Sequence, residues 1–408
     1  MVLYTFMAGW LNNLDKSILN YTGQPERRAI KSTRMSTRMS TCAFLLSLLV
    51  LMAQPAAFAV VVDDLFEVEI LVPDESTAIR RVALSDGLAE VLVRVSGDRD
   101  ILQKLRPPSA SAYVKQFRYA AIEVAEGEAE TAKSAGDAVG QATNRYHLWV
   151  QYNGTRIMDL MREQAIPIWG EYRSQTVIWF AVNDGTKRYI LKDSDSSLLK
   201  DKAGAAFKRR GIPVVWPKND SQDQRGLHFA DIWAGFAEPL QKSSTRYSNG
   251  PVVSATMSWN GRAWVGDWSV FMDRESRRWS LRETDYDALI SKGVDLVADV
   301  IGKKFAVLEV QDASKLQQIL VEIDSVNTVE GFRQVQNYLI SLPGVQSVRL
   351  SQVEAERVAF WLSLRSKVDD FLNLVKAGTE MVPDVSAGAG AGLTNDVQNF
   401  VYRFKKTR

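Results

Sequence analysis

The sequence predicts an α+β protein made of three small α/β modules, the last ferredoxin-like (split βαβ) and the middle one with an antiparallel β-hairpin sheet. Three observations carry this expectation. Short runs with period-two apolar alternation exchange with longer runs of three-to-four spacing along the chain. Asn260-Gly261 separates Val252–Trp259 from Arg262–Met272, the residue pair that a two-residue type I′ hairpin turn prefers. From Leu316 onward the pattern reads β-α-β-β-α, five elements of a split βαβ unit. The expected divisions are 1–59, an N-terminal extension and signal peptide; 60–172, a first α/β domain; 173–308, a second with the Trp-rich hairpin; and 309–408, the ferredoxin-like domain with its Gly/Ala linker and C-terminal segment.

In the first module, Leu65, Val68, Ile70 and Val72 alternate in a strand that Pro73-Asp74 stops. Ser76–Val95 has helical spacing and ends at Ser96-Gly97-Asp98. Ile101–Leu105 reads as a short helix cut by Pro107-Pro108, and Ala110–Tyr119 as a third helix. Glu126–Gln141 is polar and small, without apolar period, and reads as a loop. Arg145–Tyr152 is a strand, and Thr155–Gln164 a helix with Ile157, Leu160 and Met161 inward.

In the second module, Thr176–Val182 is a buried strand and Ser197–Arg210 a helix capped at Gly211. Gly211–Trp216 repeats the look of Ala165–Trp169 after a helix, which suggests two related β-α-β units, with chance resemblance the alternative. Asp231–Thr245 reads as one helix with a break at Pro239. The two-residue turn sets Trp264 opposite Met257 and Trp268 opposite Val253 on one covered face. Arg278–Arg282 adds a strand and Tyr286–Phe305 a helix. In the third module, Leu316–Ile323, Val345–Leu350 and Arg357–Leu364 are strands. Thr328–Leu342 is a helix capped by Asn327 and Glu330, and a second helix starts at Ser366 with Asp369 and runs to Val375. Val397–Phe404 is the candidate sixth strand, across the Ala/Gly spacer Ser386–Gly392.

Residues 42–59 give an address. Arg27, Arg28, Lys31, Arg34 and Arg38 precede a short apolar run that ends in Ala57-Phe58-Ala59. That is the order of a secretory signal peptide, with cleavage expected after Ala59 and periplasmic localisation. The run is shorter than the roughly 20 residues a bilayer span needs. Retention of the leader is the alternative, and would make an inner-membrane-anchored protein. Met35 and Met39 are alternative starts. The leader carries six Lys/Arg and two Asp/Glu, a charge of +4, so its removal takes the chain from +2 to −2. Concentrated basic surface, which nucleic-acid binding requires, is therefore not expected. Lys208-Arg209-Arg210 reads as a solvated helix end. The single cysteine, Cys42, leaves with the leader, so neither a structural disulfide nor thiolate catalysis is expected.

Chemistry is sparse. The two histidines, His147 and His228, lie in different expected modules, and no metal-ligand spacing surrounds either. No nucleophile elbow, dinucleotide fingerprint or phosphate loop occurs. No catalytic residue, cofactor or metal is therefore expected, and an enzyme is the less favoured reading. Tryptophan is plentiful. Trp149, Trp179, Trp264 and Trp268 read as sheet or core residues. Trp169 and Trp216 each follow an Ile-Pro pair near a strand end, and are the candidates for a partner or ligand surface.

The segment Tyr146–Val182, with its L-W-V-x-Y…L…IPIWG pattern, resembles the proteobacterial envelope proteins of the domain of unknown function 2066 family (DUF 2066). Val62–Ile101, with RVALSDGLAEVLVRVSGD, and Ser291–Lys303 carry the same resemblance, which spans Val62 to at least Val307. It implies secretion and a role in the Gram-negative envelope, and lends no catalytic residues. The expected function is a non-catalytic envelope accessory or assembly factor that binds envelope proteins, with peripheral membrane association compatible. The alternative is a cell-wall glycan-binding protein or glycan-acting enzyme.

Overall fold

Alternation along three short strands builds the first sheet of the computed structural model, which describes residues 59–105, 109–122, 146–273, 275–378, 380–383, 392–394 and 397–405. The expected leader and the stretch Glu126–Gln141 lie outside the described residues, apart from Ala59 at the start of β1 (Ala59–Val61). The strands β2 (Glu67–Val72), β3 (Val114–Ala121) and β4 (Tyr146–Tyr152) form an antiparallel sheet in the order β2-β4-β3. Val68, Val72, Leu148, Val150 and Tyr152 turn to one face and share a core with Leu84, Leu88, Val91 and Leu92 of helix α1 (Thr77–Ser96). Ser76 caps that helix by accepting from the Ile79 amide. At its other end Gly97 takes φ 70°, where a side chain would be strained. A short helix α2 (Ile101–Lys104) follows, and α3 (Gly154–Glu163) buries Ile157, Leu160 and Met161 as expected. The expected helix over Ala110–Tyr119 is instead one 3₁₀ turn and β3. Phe117 and Tyr119 are two apart, so as a strand both reach the face that Val150 and Leu148 cover from β4.

The second sheet runs β11-β10-β9-β6-β7, with β8 also beside β6. Its strands are β6 (Thr176–Asn183), β7 (Arg188–Ile190), β8 (Val214–Val215), β9 (Val252–Trp259), β10 (Trp264–Met272) and β11 (Glu275–Glu283). The unbroken apolar run in β6 has a direct cause: it is buried on both sides. Ile178, Phe180 and Val182 pack with α4 (Leu198–Arg209) and α8 (Tyr286–Phe305). Val177, Trp179 and Ala181 pack with Leu227, just after α5 (Ser221–Gly226), and beneath α6 (Phe229–Ala234) and α7 (Ala237–Ser244). The helix expected over Asp231–Thr245 breaks at Gly235 (φ 69°) and not at Pro239. Pro239 sits in the first turn of α7, where its missing N–H has no carbonyl to meet.

The hairpin turn is longer than its sequence suggests. Trp264 pairs with Trp259, Val265 with Ser258 and Trp268 with Ala255. The loop therefore holds four residues, and the Asn260 side chain closes it by accepting from the amides of Arg262 and Ala263. The displacement is an even number of residues, so every side chain keeps its expected face. Trp268 is fully buried against Phe180 and helix α8, where Gly293 leaves room for the indole.

The third sheet is ordered β13-β14-β12-β17-β15, with β16 beside β17. Its elements are β12 (Gln317–Asp324), α9 (Val329–Ser341), β13 (Val345–Glu354), β14 (Arg357–Leu364), α10 (Val368–Ala377), β15 (Met381–Pro383), β16 (Gly392–Thr394) and β17 (Val397–Phe404). The first five follow the split βαβ order, with β14 antiparallel to both β12 and β13. The last strand departs from it: β17 runs parallel to β12, where a ferredoxin-like sixth strand runs antiparallel. The extra strand β15 explains this. It has the antiparallel direction but lies outside β17, so the chain reverses once more before β17 fills the place beside β12. Both helix starts also differ from expectation. Thr328, not Asn327, caps α9 through the Gly331 amide, and α10 starts after Lys367 without a side-chain cap. The architecture is α+β, with open antiparallel and mixed sheets each covered by helices. The described residues form one compact unit.

Candidate functional site

Three buried arginines join the first sheet to the second, and a cleft opens beside them. Arg94, near the end of α1, donates to the carbonyls of Asp64, Glu67 and Arg209 at 2.9, 2.7 and 2.9 Å, and pairs with Glu90 at 2.6 Å. Arg210, just after α4, bridges Asp295 and Asp299 of α8 at 2.9 and 2.8 Å. It is 1 % exposed, so the reading of Lys208-Arg209-Arg210 as a solvated helix end is wrong for its last member. Arg173 lies in β5 (Tyr172–Ser174), the strand that pairs with β1. Arg173 is also 1 % exposed, and its guanidinium meets no carboxylate among the described residues. It donates to five carbonyls instead: Gly170, Arg210, Gly211, Arg94 and Trp169, at 2.8–3.0 Å. Burial, with Arg94 and Arg210 nearby, holds its pKa well below the usual arginine range. Two glycines allow this closeness. Gly211 takes φ 65° against the Arg173 guanidinium, and Gly97 meets Gly302 of α8 backbone to backbone.

The cleft beside this junction has a volume of about 610 Å³. Its walls are the end of α1 through α2, the segment 164–167 after α3, and the last turns of α8. Asp98 pairs with Lys104 at 2.7 Å, and Asp299 with Arg99 at 2.9 Å. Burial raises the pKa of Asp299 despite its two arginine partners. Lys104 is raised by its hydrogen bond to Asp98.

The two tryptophans expected at a surface are placed differently. Trp169 is 3 % exposed, which corrects its expected exposure. Its ring lies under the Arg173 guanidinium at 3.8 Å, and its amide donates to the Val95 carbonyl at 2.7 Å. The reason is the chain reversal after α3, which turns Ile168-Trp169 inward to bridge Val307 and α1. Trp216 is half-buried on the wall of a second groove of about 530 Å³, with Val60–Val62, Asp63, Asp64, Lys208 and Ile212–Val214. Lys208 and Asp64 pair across it at 3.2 Å, and Lys200 lies 5.8 Å from the Trp216 ring. The two tryptophans do not share a site.

The remaining candidates are accounted for by packing. Trp179 is buried and donates to Ser244 at 2.9 Å. Trp149 is not core: it sits on the outward face of the first sheet, with Arg118 stacked 4.5 Å away and Glu67 accepting from its indole at 3.3 Å. Trp264 is half-buried and tilts against the exposed Trp259 at 5.4 Å. His147 Nδ1 lies 2.9 Å from Glu69, and His228 starts α6 beside Asp231. Among the described residues no group of His, Cys, Asp and Glu is arranged to hold a metal ion. Nor is any helix there long and apolar enough to cross a membrane. Sequence reasoning missed Arg94, Arg173 and Arg210. A faint signal existed in Arg94, which falls on the apolar face of α1 close to Val91 and Val95.

Comparison with known proteins revises the family resemblance. Residues 59–170 match the family model of a domain of unknown function, DUF8605. No match to the DUF 2066 family is found, so the L-W-V-x-Y…IPIWG pattern does not carry the assignment expected from it. The matched stretch ends at Gly170, inside the arginine junction, and contributes Arg94 and Trp169 to it. No curated protein matches the chain. Among solved structures, the N-terminal domain of Thermus thermophilus Protein Y aligns with 32 % of this chain and 93 % of its own, at 11 % identity. The TM-score of 0.16 is too low to carry any argument about fold.

Proposed function

We propose that this chain is an exported, non-catalytic accessory protein of the bacterial envelope that binds protein partners through the Trp216 groove. The leader pattern before Val60 supports export. The observation that carries the binding reading is the groove's position at a sheet edge. β8 pairs with β6 on one side only among the described residues, and Trp216 follows it directly. An extended partner segment there gains backbone hydrogen bonds from β8, an apolar wall from Val60, Ile212 and Pro213, and charges of both signs at Asp63 and Lys208. A photocrosslinking side chain placed at Trp216 in living cells should give discrete adducts with envelope proteins. The same group at Val329, 72 % exposed on α9, should not. Identical products from the two positions, or none from 216, argue against the groove.

A glycan reading has one observation in its favour: Asp63 and Asp64 stand in the same groove as an indole. It predicts that soluble cell-wall fragments quench Trp216 fluorescence and compete with the crosslink. Export itself is tested by sequencing the N-terminus of protein taken from the periplasm. Val60 as first residue supports cleavage, and an intact leader favours the membrane-anchored form.

A further inference from the structure

We propose that the cleft between α8 and the first sheet's helices binds a short zwitterionic peptide. This site is separate from the Trp216 groove and does not depend on it. Its volume of about 610 Å³ falls in the range of small-ligand sites. Five of its lining side chains, Ile101, Ala165, Ile166, Pro167 and Ala306, offer apolar contact. The charged groups divide into committed and uncommitted. Asp98 and Lys104 neutralise each other, and Asp299 is engaged by Arg99 and Arg210. Two groups remain. Lys303, exposed on the last turn of α8, has no hydrogen-bond or ion-pair partner among the described residues. The Asp100 carboxylate, at the start of α2, accepts from the Gln103 side-chain amide at 3.3 Å and makes no ion pair within 4.0 Å among the described residues, although the neighbouring Lys104 feels its charge. The two line one cleft with opposite charges and do not pair with each other within 4.0 Å.

A ligand with a carboxylate at one end and an ammonium at the other satisfies both. Small apolar side chains between the ends suit the wall of Ile166, Pro167 and Ala306. A peptide of about three residues extends roughly 10 Å and so carries its two charged ends well apart. Lys303 then takes the C-terminal carboxylate and Asp100 the N-terminal ammonium. The second carboxylate of an acidic peptide would face Asp98 and Asp299, so neutral peptides are preferred.

The test is calorimetric titration of the whole protein with trialanine, N-acetyl-trialanine and trialanine amide. Saturable binding of trialanine is expected, with each capped peptide weakened about tenfold or more, equivalent to about 1.4 kcal/mol. Lys303→Gln should weaken trialanine similarly but leave the affinity of trialanine amide unchanged. Asp100→Asn should do the same with the acetylated peptide. The capped peptides need no variant, so they remain decisive if a substitution disturbs folding. Absence of saturable binding, equal affinity for all three peptides, or equal affinity for free alanine overturns the proposal.

Discussion

Gly293 and Trp268 illustrate how one missing carbon sets a helix against a sheet. A Cβ on Gly293 would overlap the indole, so Gly293→Ala should lower the unfolding free energy by about 1–3 kcal/mol, as overpacking does. Urea denaturation of the variant measures this directly. Ala165 presents the opposite case. It holds φ 51° at the end of α3, a conformation that costs an L-residue about 1–2 kcal/mol. Ala165→Gly should therefore stabilise the protein, by less than that cost because glycine also frees the unfolded chain, and a higher urea midpoint is the expected readout. Arg173 is the most consequential single side chain. Arg173→Met leaves five carbonyls without their shared donor, and a loss of more than about 3 kcal/mol is expected in the same assay. Arg173→Lys should recover little, because a compact ammonium has three donors and cannot span the fork. None of this was visible in the residue types alone. Arginine is usually a surface residue, and only the convergence of chain segments from positions 94, 169, 173 and 210 reveals it as a core donor.

At the scale of elements, most of what was readable came from periodicity. Helix α8 spans Tyr286–Phe305, as its spacing predicts, because a single apolar stripe packs under one sheet face. The exceptions are local. The exposed polar residues of Val114–Ala121 also fit a helix, and only β4 supplies the ladder that makes it a strand. In the hairpin, Asn-Gly suits a tight turn, while the Asn260 side chain can also close a wider one. Asn260→Ala removes both side-chain acceptor contacts and should cost about 1 kcal/mol without changing the strand faces. Amide exchange at Val265 and Ser258 would report it as faster opening of the hairpin end. The parallel placement of β17 was beyond the sequence as well. A strand of alternating Phe400, Tyr402 and Phe404 is equally apolar in either direction, and its direction follows from the additional reversal after β15.

At the scale of the molecule, buried phenols link stability to alkaline pH. Tyr402 is pushed up to about 12 by burial, and Tyr152 and Tyr338 are raised for the same reason. Above pH 10 the unfolded chain releases phenolic protons that the folded chain retains, so stability should fall from pH 10 upward, through about 12 for Tyr402. Thermal melts across that window, compared with Tyr402→Phe, test the slope: the variant should lose stability less steeply. The candidate sites divide in the same way. Trp216, a surface candidate from its Ile-Pro context, is half-buried on the wall of a groove. Trp169, in the matching context, is buried. The opposed charges of Lys303 and Asp100 are some two hundred positions apart, and nothing in their spacing connects them. By itself, the sequence determined the α+β class, most helices and strands, and the faces of the hairpin side chains, because periodicity is a local property of the chain. Only the tertiary structure decided strand direction, turn length, the arginine junction and the two clefts, because each depends on which distant segments meet.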